Sequence, residues 1–156
     1  MTQDRANYGV EPWPGAGPGP RGPNTTMAPR DEDTWSALAH LSVYLNIVTG
    51  FLGPLAALAV WLVYKDRSSR VAFHALQSLW YQVAWMVVII GYSFFGFVLT
   101  LVTFGLASFV VVPLGVLLAL VPFVHMAYAA YKVNQGADYR YPWISDLAGG
   151  RRNPGA

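Results

Sequence analysis

KDRSSRVAFHALQ, Lys65 to Gln77, interrupts an apolar sequence with Lys65, Asp66, Arg67 and Arg70, and then leads into a second apolar run carrying His74 and Gln77. On either side of it the chain is empty of formal charge. No Asp, Glu, Lys or Arg occurs in the 31 residues from Thr34 to Tyr64, nor in the 61 residues from Val71 to Tyr131. About 20 apolar residues cross a bilayer core. A soluble helical core would alternate apolar and charged faces at helical spacing, whereas here the apolar character runs all the way round. The chain therefore reads as an all-α integral membrane protein, with the basic stretch as a turn between spans.

Composition agrees: 54% of the 156 residues are hydrophobic and 12% charged, about half the charged share of an ordinary soluble domain. The absence of cysteine excludes disulfides, thiolate metal sites and cysteine nucleophiles. The first 30 residues contain six prolines and five glycines, too little apolar surface to offset their ordering entropy. They hold no apolar stretch behind a basic start, so no cleavable signal peptide is expected. We divide the chain into a disordered tail over 1–33, a four-helix transmembrane domain over 34–144 and a flexible tail over 145–156.

The acidic residues Asp31, Glu32 and Asp33 suit the positive end of a first helix, with Asp33 or Thr34 as its cap. The apolar run from Trp35 to Tyr64 is 30 residues long, about 45 Å as one helix against a core of roughly 30 Å. It carries Gly50, Gly53 and Pro54, which suit a break. Two short helices hinged at TGFLGP is the economical reading, and one tilted, kinked span is the alternative. The second run fits two longer helices, 71–102 and 106–131, joined at Thr103-Phe104-Gly105. Pro113 and Pro122 should bend the last helix.

Positive residues mark the cytoplasmic side. Lys65, Arg67 and Arg70 lie in the central turn, Lys132 and Arg140 follow the last helix, and the turns near Gly50 and Gly105 contain none. In a bacterial inner membrane this multi-pass chain would place the 65–70 loop and the C-terminus in the cytoplasm, and with four spans the N-terminus also. Tyr139, Tyr141 and Trp143 around Arg140 read as interfacial anchors.

Ionisable side chains within spans are costly and usually face the bundle interior. His40, His74 and His125 lie about 10, 6 and 10 Å from their nearest charged flanks at helical rise, one layer of one leaflet in the four-span topology. His74, Gln77, Ser78, Tyr81 and Gln82 fall on one helical stripe. The seam built by His40 and this stripe allows three readings. It can fix packing by interhelical hydrogen bonds worth about 0.5–2 kcal/mol each, line a polar path, or gather three histidines on a metal or haem. No Asp or Glu lies near that layer to complete a zinc site, so neither a metal nor a cofactor is expected.

WSALAHLS at 35–42, GPLAALAVWLVYKDRS at 53–68, FHALQSL at 73–79 and YRYP at 139–142, in this order, resemble the bacterial relatives of the chloroplast inner-envelope import component Tic-twenty. The resemblance implies a four-helix membrane domain and, for the chloroplast branch, a part in protein translocation. His40 and His74 match its motif positions and His125 does not. With no paired carboxylate, nucleophile–base set or phosphate loop in view, the chain reads as no enzyme. The resulting expectation is a component of membrane protein or solute transport. The alternative is a non-transporting scaffold or regulatory subunit packed against a larger partner. Its partners would be the bilayer and other membrane proteins or further copies of itself, not nucleic acid.

Overall fold

The computed structural model describes residues 27–137, 139–141, 144 and 148. The tail over 1–26, Trp143 and the C-terminal tail beyond Ala148 lie outside the described residues. Those described form helices α1 (Pro29–Leu41), α2 (Leu45–Thr49), α3 (Leu52–Tyr64), α4 (Ser69–Val102) and α5 (Ser108–Asn134), with a 3-10 turn Ser42–Tyr44 joining α1 to α2. No strand occurs among the described residues. Helices α4 and α5 are long and apolar enough to cross a membrane.

The first helix starts earlier than the sequence reading placed it. Ala28 is the N-cap and Pro29 takes the first turn, where its missing N–H would have had no helical partner anyway. Thr34 lies inside the helix, its hydroxyl donating to the Arg30 carbonyl at 2.8 Å. Glu32 and Asp33, read from the sequence as helix-start charges, are buried against α4: Ser68 donates to Glu32, and Arg70 pairs with Asp33.

The chain reverses between α2 and α3. Gly50 adopts φ +80° and closes α2 through its N–H to the Asn46 carbonyl at 2.8 Å, a left-handed cap that glycine adopts without Cβ strain. The opening donors of α3 are then met by side chains. Leu52 N–H donates to Thr49 Oγ1 at 3.1 Å, and Gly53 N–H to Asn46 Oδ1 at 2.7 Å. These side chains stand in for the partners that the first turn of a helix lacks. By Ser68 the chain is back beside Glu32, so α1–α2 and α3 form a hairpin.

Helix α4 is capped by Ser68, whose hydroxyl accepts from Val71 N–H at 3.2 Å. It runs parallel to α1–α2, as successive contacts show: Asp33 with Arg70, His40 with His74, Ser42 and then Asn46 with Gln82. The α4–α5 turn is centred on Phe104 (φ 51°) and Gly105 (φ +91°), with Gly105 N–H reaching the Thr100 carbonyl at 2.8 Å. Phe104 is 98% exposed.

The hairpin and the α4–α5 pair differ in height. From Arg70 to Gln82, the level of Asn46 and Gly53, α4 rises about 18 Å, and from Gln82 to Val102 a further 30 Å or so. From Val83 to Val121 the only buried residue is Gly96. Its Cα lies under Val111, just as Gly115 lies under the Tyr92 ring. The fold therefore has a four-rod end with a polar core and a two-helix end that is apolar outside. Helix α3, with 13 residues, is about 20 Å long, short of the roughly 30 Å hydrocarbon core.

Candidate functional site

Two connected layers of polar side chains fill the four-rod end. The first is a zipper between α1–α2 and α4. Ser78 Oγ donates to the Ala39 carbonyl at 2.7 Å. Gln82 Nε2 donates to Ser42 Oγ at 2.9 Å and to Ser78 Oγ at 3.1 Å, while its Oε1 accepts from Asn46 Nδ2 at 3.4 Å. His40 Nε2 faces His74 Nδ1 at 3.3 Å, and both rings are fully buried. Helix-to-helix attraction in lipid comes from packing and such bonds rather than from apolar burial, so this zipper binds the short hairpin to α4.

The second layer is built by the segment after α5. Tyr141 is 1% exposed; its hydroxyl meets His40 Nδ1 at 3.3 Å and its ring stacks on Tyr81 at 4.2 Å. Tyr81 and Tyr139 hydroxyls sit on the two nitrogens of His125, Tyr81 at Nδ1 (2.7 Å) and Tyr139 at Nε2 (2.6 Å). Gln77 Nε2 donates to the Tyr139 carbonyl at 3.1 Å. A neutral imidazole donates from one nitrogen and accepts at the other. His74–His40–Tyr141 and Tyr81–His125–Tyr139 are therefore two directional chains, each running one way or the other but not mixed.

The sequence reading and this geometry differ at the C-terminal aromatics. Tyr139 and Tyr141, expected as interfacial anchors, are drawn inward because the histidines and Gln77 offer partners that lipid does not. Burial, with Tyr81 and Tyr139 beside it, holds the Tyr141 phenol well above its usual range, and burial followed by Tyr128 raises Tyr139. Arg140, between them, lies over the Phe73 ring at 5.1 Å. Lys65 lies over Trp61 and Lys132 over Tyr128. Arg70, one of the expected topology determinants, is buried in its pair with Asp33, whereas Lys65 and Arg67 are exposed.

The stripe His74, Gln77, Ser78, Tyr81 and Gln82 is buried together with His40. The three histidines do not converge on one point. His40 and His74 are in contact, and His125 is linked to them through Tyr81, Tyr139 and Tyr141. Among the described residues no group of three or more His, Cys, Asp or Glu is arranged to hold a metal ion. The zipper ends at the Asn46–Gln82 level, and beyond it Tyr92 donates to the Val111 carbonyl as a bond local to the α4–α5 pair. Sequence reasoning missed Asn46 and the Glu32–Ser68 pair. The signal for Asn46 was an amide four residues before a glycine break, and for the pair an acidic run matched by Ser68, Ser69 and Arg70.

These features define a small all-helical protein with two long apolar helices fit for a membrane and a polar core at one end. Residues 31–148 match the family model described as the magnetosome magnetite crystal formation protein family, MamF/MmsF, and the chain belongs to that family. The match corrects the resemblance to Tic-twenty relatives and the transport role derived from it. The motifs behind that resemblance are short and apolar, a composition that bilayer-spanning helices share across families. No curated protein and no solved structure matches the chain.

Proposed function

We propose that this chain acts in magnetite crystal formation from within the magnetosome membrane, as a protein inserted from the cytoplasmic side with its four-rod end facing the cytoplasm. The family match over residues 31–148 carries the reading. The four-span expectation becomes, on this view, two crossing helices, α4 and α5, plus a hairpin of α1–α2 and α3 that enters and leaves on the cytoplasmic side. Lys65, Arg67, Lys132 and Arg140 all belong to the four-rod end, and the far turn at 103–107 carries no charge, which supports that orientation. The partner proposed is the lipid bilayer itself.

The test is removal of the chain from a magnetite-forming cell that carries it, followed by its return. Electron microscopy should reveal smaller or fewer crystals without the chain and normal ones after complementation. Crystals unchanged in number, size and shape would contradict the role.

A further inference from the structure

We propose that the molecule is a wedge in the bilayer that partitions to strongly curved membrane, its four-rod end in the convex leaflet. The inference rests on the orientation given above but on a different observation, the taper of the fold. Up to the Asn46–Gln82 contact, α4 and α5 are flanked by α1–α2 and α3. Above it no other described residue flanks them, and Gly96 is the single buried residue between Val83 and Val121. Each helix with its side chains is about 10–12 Å across. The two ends therefore differ by two helices, roughly 200 Å² of leaflet area at that diameter.

The hairpin tip supports the same geometry. Ile47, Val48 and Phe51 are exposed and apolar, while the backbone donors beside them are closed by Asn46 and Thr49. Such a tip suits hydrocarbon rather than a water-facing turn. Deep within one leaflet it spreads that leaflet and leaves the other unspread. On any closed compartment inside a cell the cytoplasmic leaflet is the convex one, so the wide end and the expanded leaflet coincide. Curvature-dependent insertion is established for helices that occupy one leaflet only, and the hairpin places the same asymmetry inside a spanning protein.

The experiment reconstitutes the full chain, fluorescently tagged and dilute, into phosphatidylcholine–phosphatidylglycerol vesicles of graded diameter. Lys65 and Lys132 are the two lysines of the chain and both belong to the wide end, so a membrane-impermeant amine reagent labels molecules whose wide end faces outward. From the largest to the smallest vesicles the protein density per lipid area should rise several-fold, and the outward fraction should climb from an even split toward one. An outward fraction and density independent of diameter would overturn the proposal, as would obligate pairs at high dilution, in which a second copy fills the narrow end. Neither result touches the requirement for the chain in crystal formation, which is read in cells.

Discussion

Asn46 and Gln82 meet through their side-chain amides at 3.4 Å, and this contact marks the height at which the four-rod end stops. Asn46 also accepts from Gly53 N–H at 2.7 Å. One side chain thereby closes the start of α3 and holds the hairpin to α4.

Replacing it should be costly. Asn46→Leu keeps the branched outline of the side chain but strands the Gly53 donor and one acceptor of Gln82. We expect a loss of about 1–3 kcal/mol, the cost of a buried unsatisfied group, measured by reversible unfolding in mixed micelles. Thr49→Val loses a second donor–acceptor link at the same turn and should also destabilise the hairpin, without touching the Asn46–Gln82 contact. Equal stability of Asn46→Leu and the parent chain would refute the role of the contact.

The α4–α5 pair offers a contrast between glycines. A Cβ at Gly96 would come within 2.6 Å of Val111 Cγ1, and one at Gly115 within 2.9 Å of the Tyr92 ring, while nothing lies within 4 Å of a Cβ at Gly91. Valine is stiff at χ1, so Gly96→Ala must push the helices apart and should destabilise the pair. Gly91→Ala should be neutral or stabilising by up to about 1 kcal/mol, the helix-propensity difference. Thermal unfolding of the two variants should order them accordingly.

The C-terminal clamp should fail in alkali. Burial raises the Tyr141 phenol well above its ordinary value and raises Tyr139 as well. A group whose folded pKa is raised contributes stability below its unfolded pKa, about 10 for tyrosine, and that contribution is lost as pH rises through the folded value. The contribution of these phenols should therefore be constant below about pH 10 and fall above it, with Tyr141→Phe removing part of the fall. Phenolate absorbance recorded alongside unfolding would check both points.

A double-mutant cycle at His125 gives a fourth outcome. Tyr81→Phe and Tyr139→Phe each remove one partner of the same ring. Because a neutral imidazole couples its two nitrogens, the pair should be non-additive, with a coupling of about 0.5–2 kcal/mol, the range for groups in one network. Strict additivity would mean that the two bonds form independently.

Much of the frame was legible from charge alone. The empty runs on either side of Lys65–Arg70 placed the helices, and Gly50 marked the reversal because a left-handed residue was needed there. The stripe from His74 to Gln82 followed from helical spacing. Three features were hidden for physical reasons. Tyr141 sits 101 residues from His40, and no local pattern announces a pairing at that separation. The pairing of Asp33 with Arg70 was hidden because composition does not say which opposite charges will meet. The unequal heights of hairpin and α4–α5 pair were visible in length but not in register, which only the Asn46–Gln82 contact sets. The resemblance drawn from short apolar motifs pointed to the wrong family, since such motifs report a bilayer more than an ancestry.

The most direct test of the tapered, membrane-inserted fold is the depth of Val48 in the bilayer. The chain lacks cysteine, so single cysteines at Val48 and Phe104 can carry spin labels in the reconstituted full-length protein. The account predicts that the Val48 label lies inside the near leaflet, accessible to oxygen and shielded from a polar relaxant, with Phe104 at the far surface. A Val48 label as open to the polar relaxant as that at Phe104 would place the hairpin tip at a water-facing surface and contradict the account.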